Sequence, residues 1–181
     1  MLGEGHRNER DTVRQQILNT YAMTLDTAKR LCEGVECARC AELPFADAKH
    51  PAWTLSHLSI ASGMAASFLD LDADEGPIGG VPEAWMAVSA PGVAITDDRA
   101  KYAPLDALIA ELERVHRLVA ERFERVSDEH LASPFPNEHY RAFWPTVADG
   151  AIYMMAHHEG YHLGQMSQWR RAAGYPSNNP F

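Results

Sequence analysis

Four stretches of this chain repeat apolar residues at every third or fourth position, the spacing that lines one face of an α-helix. The first runs from about Asp11 to Leu31, with Val13, Ile17, Tyr21, Leu25 and Ala28 in phase. The second, about Ala52 to Leu71, carries Leu58, Ala61, Met64, Ala65 and Phe68 along one face. Pro51 suits its first turn, where a missing N–H leaves nothing unpaired. The third runs from about Pro104 to Val126 through Leu105, Leu108, Ile109, Leu112, Val115, Val119 and Phe123. The fourth spans about Thr146 to Ala173 and is closed by Gly174 and Pro176.

Gly34 and Pro44 break the chain after the first stretch. Residues 72–103 read as a long Pro- and Gly-containing connection with one short helical turn near Glu83 to Val88, and "SDEHLASPFPNEHYRAFWP" reads as a second. No segment alternates with a period of two, and no internal repeat is evident. The pattern predicts a single all-α domain over residues 1–181. Helices of this length bury their stripes together as a four-helix bundle, here with long connections between helices 2 and 3 and between helices 3 and 4.

Composition narrows the function. A formal charge of −9 disfavours nucleic acid and anionic membrane as partners, because both recruit clustered Lys and Arg. No apolar run approaches the roughly 20 residues of a membrane span. The start, "MLGEGHRNERD", lacks the apolar core of a signal peptide, so the expected compartment is the cytoplasm. Cys32, Cys37 and Cys40 are an odd number, which argues against a disulfide framework. Cys37 and Cys40 form a C-x-x-C pair, but no second ligand pair follows and no β-α-β context surrounds it. They are read as incidental thiols near a helix end.

The histidines carry the chemistry. In "HHEGYHLGQMSQW", His158 and His162 are four apart and share a helix face, while His157 is turned ~100° aside. Stepping along the helix through Ala151, Met154, Met155, Gln165, Met166 and Trp169 places both on the apolar stripe. On the second helix, His57 falls in phase with Ala61, Met64 and Phe68, again inward. Buried imidazoles without partners cost roughly 1–3 kcal/mol each, and a metal satisfies several at once. His57, His158 and His162 are therefore predicted to form an open three-histidine metal site. Such a donor set suits zinc, nickel, copper and iron alike. His116 and His130, in charged surroundings, are expected to be solvated. His50 and His139 are loop residues within possible reach of the site.

"HPAWTLSHL" followed about 100 residues later by "HHEGYHLGQMSQWRRAAGYP" resembles the DinB-like (DNA-damage-inducible) four-helix metalloproteins. Trp53, His57 and Leu58 match a W-x-x-x-H-L motif; His158, His162, Gly164 and Gln165 match an H-x-x-x-H-x-G-Q motif, with Arg170, Arg171 and Gly174 in the tail. The resemblance covers about Asp11 to Pro176. It implies a divalent ion, nickel or zinc, on His57, His158 and His162, and a homodimer.

Three activities are compatible with such a site. A thiol S-transferase acting on a small-molecule electrophile with a low-molecular-weight thiol would want cations at the pocket rim, for which Arg141, Arg170 and Arg171 are candidates. A metal-dependent hydrolase would want a carboxylate base; Glu159 points away from His158, leaving Glu138 or Asp149. The third is a non-catalytic, stress-related metal-binding dimer.

Overall fold

The computed structural model describes residues 3–70, 72, 74, 76 and 78–178, with side chains from Thr12 onward. Among these residues the regular structure is helical, with no strand. The α-helices are α1 (Gly3–Cys32), α2 (Pro51–Leu69), α3 (Met86–Ser89), α4 (Leu105–Arg125), α5 (Asp128–Ala132), α6 (Val147–Ile152) and α7 (Glu159–Ala172). A π-helical segment, Tyr153–His158, joins α6 to α7 without a break. Helix α1 begins well before Asp11, where no apolar stripe announces it. The expected end of α2 at Leu71 lies outside the described residues; α2 closes at Leu69 with Asp70 as its cap.

Helix α2 is the centre of the molecule. It holds no charged residue, and every position except Met64 and Ser67 is buried, as expected for a helix apolar on all sides. Its serines return their hydroxyls to the preceding turn: Ser56 donates to the Ala52 carbonyl and Ser59 to the Leu55 carbonyl, each at 2.8 Å. Around it pack α4, α6, α7 and the π-helical segment, while α1 closes over α4 and α7. Gly63 admits the connection between α2 and α3 at close range, since a Cβ there would stand 2.0 Å from the Ile78 carbonyl oxygen.

The N-terminus of α2 is held by His50, which is fully buried. Its Nδ1 accepts from the Trp53 amide at 3.1 Å, and its Nε2 therefore carries the proton given to the Thr96 carbonyl at 3.0 Å. His50 is thus a helix cap that also ties down the long connection. Burial pushes its pKa down to about 4. Nearby, Arg170 is buried and donates to the Leu31 and Glu33 carbonyls, satisfying the open C-terminus of α1.

The second connection is pinned at its base. Phe135 donates its amide to the Pro145 carbonyl and Val147 donates to the Ser133 carbonyl, so residues 136–144 form a loop closed at its base. Thr146 and Asp149 form a reciprocal capping box that starts α6. Gly150 lets the Phe135 ring lie flat on α6, because a Cβ there would stand 2.5 Å from the ring.

Candidate metal centre

His57 projects from α2, His158 from the last π-helical position and His162 from the first turn of α7. One nitrogen of each lies within 4.8 Å of the others. The Nε2 atoms of His57 and His158 face each other at 3.2 Å. Two nitrogens bound to one ion at about 2.0–2.1 Å in tetrahedral geometry stand about 3.3 Å apart, so the observed spacing fits a shared ion.

The surrounding hydrogen bonds fix which nitrogens are free. His57 Nδ1 faces the Ser89 carbonyl at 2.7 Å, and a carbonyl only accepts. The proton is therefore on Nδ1 and the lone pair on Nε2 points into the cluster. His162 Nδ1 donates to Gln165 Oε1 at 2.8 Å, which frees its Nε2 in the same way. Carbonyl or carboxamide partners behind the ring are the usual means of orienting imidazole ligands. His158 Nδ1 is buried with no protein partner. With the Nε2 lone pairs of His57 and His162 aimed into the cluster and His158 Nε2 facing them, the donor set fits a cation.

All three rings are held neutral. Burial, then repulsion from the neighbouring imidazoles, pushes His158 down to about 3 and His162 down to about 4, and burial lowers His57. Metal binding to neutral imidazoles displaces no proton near pH 7. Trp53 stacks on His57 at 4.5 Å and 11°, completing one wall.

The cluster opens into a cavity of about 770 Å³. Its walls are largely aromatic: Phe68, Phe135, Tyr140, Trp144, Tyr153 and Tyr161 all line it. The aromatic side chains of the second connection form a large part of that wall, a contribution helical periodicity could not reveal. Among the described residues lining the cavity, Lys49 is the one cation and there is no carboxylate. The Lys49 ammonium lies 4.8 Å from the centre of the Trp53 ring and helps depress His57 and His162.

Several expectations are corrected here. Arg170 is spent on α1, Arg171 donates to Ser167, and Arg141 donates to the Phe135 carbonyl and pairs with Glu138; none lines the cavity. Asp149 is committed to the capping box and Glu138 is exposed, so neither supplies a base. His139 is exposed and leans on Tyr140, and His50 is the α2 cap. His130 is not simply solvated: it bonds the Phe68 carbonyl at 2.8 Å, where it satisfies the C-terminal end of α2.

His116 is the largest departure. It is 4 % exposed rather than solvated. Its Nε2 meets Glu159 Oε1 at 2.8 Å, and its ring stacks on Tyr21 at 3.9 Å. Ser62 and Thr24 also donate to the Glu159 carboxylate, and Tyr21 donates to Ser62. Helix phase contained the signal: residue 116 lies four after Leu112 and three before Val119, on the buried stripe of α4. Its charged neighbours in sequence hid that phase. Glu159, next to His158, turns away from the metal cluster as expected, and its carboxylate is buried in the core.

A model of the DinB superfamily matches residues 16–166, a span that contains all three histidines. No curated protein and no solved structure matches the chain.

Proposed function

Given that the chain belongs to the DinB superfamily, we propose that it is a metal-dependent transferase that adds a low-molecular-weight thiol to an apolar small-molecule electrophile. The observation that carries this reading is the joining of three neutral imidazoles, two of them oriented from behind, to a large aromatic cavity with no carboxylate among its described lining residues. A divalent ion there supplies the Lewis acidity that generates a nucleophile near neutral pH. No carboxylate among the described lining residues stands as a base for hydrolysis, and a thiol, more acidic than water from the start, would need none once an ion was bound.

The residues divide the work. His57, His158 and His162 would hold the ion, with Ser89 and Gln165 fixing two of the rings. The aromatic walls exclude water and bind the electrophile's apolar body. Lys49, with no carboxylate paired to its ammonium among the described residues, is placed to receive one anionic group of either reactant.

The same reading takes nickel or zinc as the ion, the four long helical segments as a four-helix bundle, the cytoplasm as the compartment, and a homodimer as the working form. Exposed Met23 on α1 and the side-chain-free Gly160 and Gly164 on α7 border one groove, which supports a self-association surface. The test is turnover of a generic aromatic electrophile with glutathione, bacillithiol and mycothiol. Metal-dependent turnover with one of them is expected; a metal-loaded protein inert with all three contradicts the proposal.

A further inference from the structure

The C-x-x-C pair stands apart from the metal site, and its two thiols differ sharply. Tight turns run between Glu36 and Glu42 and hold Cys37 and Cys40. Cys40 is fully buried and its thiol donates to the Cys37 carbonyl at 3.0 Å. Cys37 is exposed. Arg99, arriving from the connection before α4, places Nη2 at 2.9 Å from the Cys37 sulfur and Nε at 2.9 Å from the Cys37 carbonyl oxygen. Its Nη1 donates to the Tyr102 carbonyl at 2.7 Å, so the guanidinium is clamped in place.

This geometry separates the acidities. The hydrogen bond from Arg99 is the main influence lowering the Cys37 thiol below its usual value. Burial pushes Cys40 up to about 11 and Cys32 up to about 12. The Cys40 sulfur sits against the Cys37 carbonyl, which brings it beside the residue that carries the first sulfur. A solvent-facing thiol in contact with a clamped guanidinium, beside a protected thiol, is the arrangement of a redox-reactive pair. A purely structural staple would need Arg99 on the carbonyls alone; its third contact is to sulfur.

We propose that Cys37 and Cys40 form a peroxide-reactive dithiol that closes to an intramolecular disulfide. The Cys37 thiolate attacks one oxygen of a hydroperoxide and the O–O bond breaks. The departing oxygen takes a proton and leaves as water or an alcohol, and Cys37 becomes a sulfenic acid. Cys40 sulfur then attacks Cys37 sulfur; the S–O bond breaks, and the hydroxide leaves as water with the Cys40 proton. The pair loses two electrons and the peroxide gains them. Cys32, buried and not bonded to either sulfur in this step, stays reduced.

The test uses full-length protein loaded with zinc, which has no redox chemistry of its own. The reduced protein is treated with hydrogen peroxide at pH 7, its thiols are counted after denaturation, and its peptides are mapped. The count is expected to fall from three to one, with a Cys37–Cys40 cross-link. Cys37→Ser should keep both remaining thiols, and Cys40→Ser should stop at a sulfenic acid captured by dimedone on Cys37. Arg99→Gln should react roughly threefold to tenfold more slowly, with its helical content checked by circular dichroism. A count that stays at three, a cross-link to Cys32 or between chains, or equal thiol-loss rates in wild type and Cys37→Ser would overturn the proposal.

Discussion

His50 shows how a single histidine can be structural in a chain where three others could hold a metal ion. Its folded-state pKa lies near 4, below the roughly 6.5 of the unfolded chain. The unfolded state therefore binds the proton first as pH falls, so the stability His50 contributes is complete above about 6.5 and declines toward pH 4. Between pH 7 and 4.5 wild type should lose about 2 kcal/mol more than His50→Asn, which caps the helix but does not titrate. Urea unfolding of both proteins at the two pH values checks this; equal losses would show that His50 is not held neutral. Gln165 is a second such residue. Gln165→Leu removes the acceptor behind His162 and should weaken metal affinity about 10- to 100-fold while leaving the fold intact, as read by competition with a chelator. Unchanged affinity would mean that the ring is positioned by packing alone.

At the scale of elements, the two sides of the last helix do different things. The π-helical turn ends at His158, so His158 reaches toward α2 while Glu159 reaches toward α1 and α4. Such turns recur at functional sites because they re-aim side chains within an unbroken helix. The Glu159 side is a buried polar network, and removing one partner strands the other. His116→Ala should cost about 3–5 kcal/mol of stability yet leave metal content per folded molecule unchanged, measured by calorimetry and elemental analysis on the same sample. Loss of metal at full folding would join the two networks functionally. Gly63→Ala should destabilise by about 1–3 kcal/mol, since Ile78 backbone occupies the space of the new methyl; a neutral effect in thermal melts would show that the connection moves freely.

For the whole molecule, periodicity was enough to place the long helices and to turn His57, His158 and His162 inward, because burial imposes one phase on a whole helix. Three kinds of feature escaped it. The start of α1, "GEGHRNER", is helical without an apolar stripe. The switch to π-helix is a change of hydrogen-bond register that no pattern of residue types records. The cavity wall contributed by Phe135, Tyr140 and Trp144 comes from a loop, whose path depends on the bridge between Pro134 and Thr146. His116 escaped for a different reason: it was judged by its charged neighbours, while its helix phase already pointed inward. The candidate arginines failed because guanidinium groups near chain ends are commonly used to satisfy backbone carbonyls, as Arg170 does.

The claim on which the functional reading rests is that His57, His158 and His162 hold one divalent ion. Elemental analysis of the purified protein, alongside His57→Ala, His158→Ala and His162→Ala, tests it most directly. The account predicts about one equivalent of nickel or zinc in wild type and a strong loss in each variant, with His116→Ala retaining its metal whenever it folds. A wild-type protein that carries no metal and takes up none on titration would contradict it.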